Sequence, residues 1–310
     1  MPGSQNRDFL FSPAKPELLK MKIKILSRNA KLYSTRRLVE AARARNHEVS
    51  VINPLNCDLV IKKRDPNIFY KGKKIENVDA IIPRIGVSDT FYGTAVIRQF
   101  ELMKVFSTVG SLALNRSRDR LRSLQLLSSA NLGLPETAIS NDSNNLSGIL
   151  NFVDNAPLII KLLERKRGLG VVLAETNNAA VSVLEAFKGL KVRVIFQKFI
   201  KESSGSDVRA FVVDGRVVGA MKRQAKKGEF RSNLNLGGTT QIITLTDEEE
   251  RSALKAAKVM KLGVCGVDML QSDQGPLILK VSSSPGLRQI EAVTKKDIAK
   301  IIIRYIEKNI

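Results

Sequence analysis

The sequence predicts an α/β protein, with a parallel strand–helix–strand unit near its N-terminus and antiparallel hairpins toward its C-terminus. Three observations carry this. Two strand-like runs, "MKIKILS" and "EVSVIN", flank the helical stretch "STRRLVEAARARNH" at the spacing of a parallel crossover. Asp214-Gly215 stands between the apolar runs of "VRAFVVDGRVVGAMKRQ", the signature of a two-residue type I′ turn. A second hairpin is read from "VCGVDML" and "PLILKVS" around "QSDQG".

Taken in order, residues 1–20 lack periodicity and are interrupted by prolines, so they form an extension rather than a domain. The segment is too polar for a secretory signal, and Asp8, Glu17 and the prolines weigh against a mitochondrial presequence. The first helix is expected to take Ser34 or Thr35 as its N-cap, with Leu38, Val39 and Ala42 on one face. "VDAIIPRIG" is a third strand, apolar enough to be buried, and the absence of GxGxxG after the first strand leaves a dinucleotide site without support. "NRSRDRLRSLQLLSSANLGLPET" reads as one basic helix opening a second region. Strands at "APLIIKLL" and "VVLAET" enclose the loop "ERKRGLG". In "TLTDEEERSALKAAKVMKLG", Thr246 and Glu249 form a capping box, acids lead, lysines close, and Gly263 stops the helix. "KKDIAKIIIRYIEKNI" is an amphipathic terminal helix.

Charge narrows the partners. Lys plus Arg number 51 against 30 Asp plus Glu, a formal net charge of +21, with a pI near 10.1. A chain this basic is expected against a polyanion, nucleic acid by default. Aromatics are only 5% with no Trp, which favours phosphate contact over base stacking. No apolar run approaches the roughly 18 residues of a membrane span. Cys57 and Cys265 lie far apart in apolar contexts and read as buried thiols of a reducing compartment. His47 is the single histidine, so His-based triads and His-rich metal sites are excluded.

The order of "LSRNAKLYSTRRLVEAA", "IIPRIG…TFYGTAVIRQFE", "RSRDRLRSLQLL", "APLIIKLLE…GLGVVLAET", "KRQAKKGEFRSN" and "GVDML…SSPGL" resembles the RimK-type ribosomal-protein glutamate ligases, from Met21 to the C-terminus. The resemblance implies an ATP-grasp fold behind an N-terminal Rossmann-like pre-ATP-grasp domain. It divides the chain into the extension (1–20), the pre-ATP-grasp domain (21–115), a central subdomain with a Gly-rich loop (116–195) and a C-terminal subdomain (196–310). That family uses ATP and magnesium to activate a carboxylate as an acyl phosphate, then adds glutamate to the C-terminus of a small-subunit ribosomal protein. Magnesium needs oxygen ligands converging on one face of a strand pair, and alternation places residues i and i+2 on one face. By the resemblance, Asp268 keeps the first metal ligand, Lys161 the strand lysine, and Arg120 replaces a second lysine. Asp207 and Arg231 match residues around the nucleotide, and Lys198, followed by Phe199, falls at the hinge beside the adenine.

The departures are concentrated where the chemistry sits. Lys280 and Ser282 stand where the family has Glu and Asn metal ligands, and the Gly-rich loop carries Arg165, Lys166 and Arg167. Asn235 and Leu236 replace His and Arg, and Arg288 replaces an expected Glu. Lys280, opposite Asp268, is expected to fill the magnesium volume and to neutralise the buried carboxylate, which alone would be costly. The reading that follows is a pseudoenzyme with no cofactor, built into a small ribosomal subunit, with ribosomal RNA and small-subunit proteins as partners and no membrane. Arg165, Lys166, Arg167, Lys222, Arg223, Lys226, Lys227 and Arg288 are the candidate RNA contacts, and the mitochondrial matrix is the expected place, with the cytoplasm as alternative. The alternative function is an active glutamate ligase using ATP and magnesium at an altered metal site, and a third reading is an inactive nucleotide sensor off the ribosome.

Overall fold

The computed structural model describes residues 20–140, 146–162, 170–188, 193–203, 205–231 and 237–310. In β1 (Lys22–Leu26) the apolar residues Ile23 and Ile25 are buried, while Lys22 is exposed. The chain then crosses through α1 (Tyr33–Arg43) to β2 (Glu48–Ile52). A small antiparallel sheet follows, β3 (Cys57–Val60), β4 (Asn67–Tyr70) and β5 (Lys73–Lys74), which no sequence signal had marked. The chain returns through β6 (Ala80–Pro83), α2 (Thr90–Leu102) and β7 (Phe106–Ser107), closing a parallel sheet of order β2-β1-β6-β7.

The expected single basic helix is two, α3 (Ser111–Arg118) and α4 (Arg120–Ser129). Asp119 breaks it, because its side chain accepts from the Arg122 amide at 3.0 Å and so caps the second helix. β8 (Thr137–Ser140), α5 (Leu146–Asn151), β9 (Leu158–Leu162), β10 (Val171–Ala174), α6 (Asn177–Lys188) and β11 (Val194–Lys198) follow, the strands forming an antiparallel sheet of order β10-β9-β11-β8.

The last sheet holds β12 (Ser206–Val213), β13 (Arg216–Gln224), β14 (Thr239–Ile242), β15 (Val264–Ser272) and β16 (Gly275–Ser282), in the order β14-β13-β12-β15-β16. Both expected hairpins are present, and Asp214 and Gly215 take φ of 50° and 67°, the left-handed pair that a type I′ turn requires. α7 (Asp247–Met260) carries the expected capping box of Thr246 and Glu249. Its end is set by Lys261 in the left-handed region, not by Gly263. That glycine serves another purpose, because a Cβ there would meet the Tyr305 hydroxyl at 2.2 Å.

α8 (Arg288–Thr294) and α9 (Ile298–Lys308) close the chain, and α9 lays Ile302, Ile303 and Ile306 into a core shared with Ile23, Leu38 and Phe211. Ser34 and Thr35 do not cap α1, whose N-cap is Leu32. Ser34 Oγ instead accepts from the Leu287 amide at 3.0 Å, and the Thr35 hydroxyl meets that of Ser27, also at 3.0 Å. The Ser34 hydroxyl therefore ties α1 to the segment just before α8, and the Thr35 hydroxyl ties it to the end of β1 within the same domain. His47 is structural: Nδ1 accepts from the Met21 amide, and Nε2 meets Glu307 at 2.8 Å. Cys57 and Cys265 are free and buried, and burial pushes their thiols up to about 11 and about 12.

Candidate functional site

Four adjacent strands build one charged face. In β12, alternation puts Asp207 and Arg209 on the same side of the sheet. Register then sets Arg209 beside Asp268 of β15, and Asp268 beside Lys280 of β16. On the other flank Asp207 faces Arg223 of β13. Arg209 grips Asp268 with both arms, Nε to Oδ1 at 2.6 Å and Nη2 to Oδ2 at 2.7 Å. Arg223 donates Nε to Asp207 Oδ1 at 2.6 Å, and its Nη2 reaches both Asp207 Oδ2 and, at 3.2 Å, Asp268 Oδ2.

Burial alone would raise the Asp268 carboxyl. The opposing pull of Arg209 and Arg223, with a smaller share from Lys280, leaves it well below the usual carboxylate range. Lys280 is therefore not the group that neutralises Asp268, which corrects the sequence expectation. The two arginines do so, and the Lys280 side chain makes no hydrogen bond or ion pair among the described residues.

Two further cations come from β9 and α4, and one of them, Arg120, acts on Lys280. Lys161 lies in β9, registered with Ile195 of β11, and its Nζ donates to Gln197 Oε1. Burial first, then the neighbouring Arg120, pushes this lysine down to about 7. Arg120, the first residue of α4, makes no side-chain hydrogen bond or ion pair among the described residues, and burial lowers its proton affinity. Lys280 is lowered too: burial leads, Asp268 opposes it, and Arg120, Arg209 and Arg118 reinforce it. Arg120 thus acts on both Lys161 and Lys280. Arg118, whose Nη2 donates to the Ile85 carbonyl at 2.6 Å and whose buried Nε has no hydrogen-bond partner among the described residues, also acts on Lys280 and on Arg84.

The remaining predicted residues separate from this group. Lys198 ends β11 and pairs with Asp154 at 2.6 Å and Glu136 at 3.5 Å. With Phe199, Leu134, Ile200 and Leu277 it lines a cavity of about 490 Å³, whose walls include neither Lys161 nor Lys280. Arg231 holds Glu229 at 2.6 Å and lies over the Phe230 ring. Ser282 faces Gly266 across the hairpin.

Among the candidate RNA contacts, Arg165, Lys166 and Arg167 lie outside the described residues, as do Asn235 and Leu236. Arg223 is consumed by Asp207 and Asp268, and Lys222 donates to Gln271 at 3.2 Å. Lys226 and Lys227 are exposed, and Arg288 sits over the Tyr33 ring at 5.2 Å. Sequence reasoning missed Arg209. The signal was there, since Asp207-x-Arg209 in a strand must project both groups to one face.

A family model described as the RimK-like ATP-grasp domain matches residues 117–306, and one described as the RimK PreATP-grasp domain matches residues 21–114. The chain belongs to the RimK-like ATP-grasp family. It is 56% identical over 289 residues, 93% of this chain and 96% of the relative, to a probable alpha-L-glutamate ligase of Hydrogenovibrio crunogenus (strain DSM 25203 / XCL-2). The figures are the same for a probable alpha-L-glutamate ligase of Vibrio vulnificus (strain YJ016). Among solved structures, ATP-grasp ligase PsnB complexed with minimal precursor superposes with a TM-score of 0.75 at 19% identity, covering 94% of this chain and 99% of that one. A RimK domain ATP-grasp protein from Sphaerobacter thermophilus DSM 20745 gives 0.68 at 18%, covering 92% and 99%. Such identities speak to the fold alone, and the fold is ATP-grasp.

The RimK-like relatives correct the sequence expectation. A pseudoenzyme serving as a structural part of a ribosomal subunit is overturned, because chains more than half identical over nearly the whole length are named as ligases. The expectation of no cofactor falls with it, since ATP-grasp ligases use ATP and Mg2+, and one PsnB structure is complexed with Mg and ADP. The ribosome, RNA-binding and mitochondrial parts of that reading draw no support from these relatives.

The donor set at this face nevertheless does not fit magnesium. A hard dication needs several oxygen ligands. Both oxygens of Asp268 are already engaged by guanidinium groups, the facing residue is an ammonium, and Ser282 offers one hydroxyl. Among the described residues, no group of three or more His, Cys, Asp or Glu is placed to hold a metal ion.

Proposed function

We propose that this chain is an ATP-dependent α-L-glutamate ligase, joining the amine of L-glutamate to an acceptor carboxylate. The observation that carries the reading is its 56% identity, over 93% of its length, to chains named probable alpha-L-glutamate ligase. The acceptor carboxylate would take the γ-phosphoryl group of ATP to give an acyl phosphate and ADP. Attack by the glutamate amine would then form the amide and release phosphate. In such a reaction this chain's own residues supply positive potential where phosphate charge gathers. Lys161, Arg120 and Lys280 offer the donors. The Asp207–Arg223–Asp268–Arg209 network holds the sheet face rigid beneath them.

The acceptor in this proposal is the C-terminal carboxylate of a small-subunit ribosomal protein. A net charge of +21 supports it, since a strongly basic enzyme is drawn to a substrate embedded in ribosomal RNA. The test is to incubate the purified chain with ATP, L-glutamate and isolated small subunits. Mass spectrometry should show one protein gaining glutamyl residues at its C-terminus. If the subunit proteins stay unchanged while a free carboxylate peptide is extended, the acceptor assignment fails and the ligase reading stands.

A further inference from the structure

We propose that the cleft holds the phosphate chain of a nucleoside triphosphate directly on Lys280, Arg120 and Lys161, and that this binding needs no divalent cation. The inference rests on the ligase reading for its nucleotide, and departs from it on the metal.

Its ground is the mismatch between the donors present and the ion the family uses. Magnesium would need the Asp268 carboxylate, yet Arg209 closes on both of its oxygens at 2.6 and 2.7 Å and Arg223 adds a third contact at 3.2 Å. Among the described residues, Asp207 and Asp268 are held by Arg209 and Arg223, so Lys280 has only the through-space attraction of a carboxylate already paired with two guanidinium groups. The side chains of Lys280 and Arg120 make no hydrogen bond or ion pair among the described residues, and that of Lys161 has only the amide oxygen of Gln197. Arg118, bonded through Nη2 to the Ile85 carbonyl, adds a buried Nε with no partner among the described residues.

Like charges gathered in a desolvated cleft oppose one another, and a polyanion removes that opposition. The register makes the arrangement specific. Lys280 lies directly across from Asp268, so a fixed positive charge stands where the family's metal ligand would be. Phosphate oxygens accept well from both lysine and arginine. Free triphosphate also carries more negative charge than its magnesium complex, so a cleft of fixed cations favours the free form.

The experiment is calorimetric titration of the full chain with ATP, once in EDTA and once in excess magnesium. The expected result is binding in EDTA at least as tight as in magnesium. Lys280→Met should weaken binding in EDTA about ten- to a hundredfold, the loss of one charge-assisted contact. Lys280→Glu should weaken it at least as far and make added magnesium improve it. Should Lys280→Met fail to fold, as a thermal melt would reveal, Arg120→Gln carries the same expected loss.

Binding only in magnesium, no binding of ATP at all, or a Lys280→Met variant with unchanged affinity in EDTA would each overturn the proposal. Glutamate transfer, scored on the same preparations, separates the two readings. ATP bound in EDTA without transfer under any condition keeps this inference and removes the ligase; binding confined to magnesium with transfer does the reverse.

Discussion

Asp268 is the residue on which the site's electrostatics turn, and Arg209, with Arg223 beside it, keeps it ionised. Removing one partner of a buried, hydrogen-bonded charge pair leaves the other uncompensated. Arg209→Met should therefore destabilise the fold by about 3 kcal/mol in urea denaturation, at the low end of that range because Arg223 remains. Lys280→Met, by contrast, should cost less than about 1 kcal/mol, since it removes no hydrogen bond. Because the Asp268 carboxyl is depressed on folding, its stabilisation is present above the unfolded value near ~3.9 and is lost as pH falls through the lower folded value. Lys161 gives the opposite kind of pH dependence. Its proton affinity in the free protein is pushed down to about 7, and a bound phosphate raises it. ATP affinity should accordingly decline as pH rises above 7, by at most about tenfold per unit, and Lys161→Met should flatten that slope. The position of Lys280 opposite Asp268 was legible from strand alternation. Its role was not, because the neutralising arginines come from strands whose register the sequence does not reveal.

Among the elements, those specified by local chemistry were the easiest to read. The Asp214-Gly215 turn and the Thr246–Glu249 box needed only their own residues, and both are present. Thr246→Ala should lower stability by about 1 kcal/mol, read as a shift in the denaturation midpoint with an unchanged slope. Elements settled by distant contacts were misread. Ser34 and Thr35 look like caps, yet tertiary partners at Leu287 and Ser27 claim their hydroxyls. The break at Asp119 was hidden because an aspartate within a basic run also suits a helix surface, and only its bond to the Arg122 amide shows the cap. Gly263 looked like a helix stop, but the close approach of Tyr305 from α9 is what requires it.

For the whole molecule, two parts of the sequence point in different directions. The order of the pieces specifies the RimK-like ATP-grasp family, and relatives at 56% identity are named probable alpha-L-glutamate ligase. The residues at the metal position depart from it, and from them alone the sequence suggested that activity had been lost. That step gave two side chains more weight than the rest of the chain, while the field at this site depends on groups from five strands and two helices. A cationic cleft is compatible with handling triphosphate, whatever ion it uses. The most direct measurement is ADP release from ATP by the purified chain, with L-glutamate and a carboxylate acceptor each supplied or withheld. Release that requires both, with the acceptor gaining glutamyl mass, is the predicted result; no release above background with every substrate present, from a chain shown to be folded and to bind ATP, would contradict it.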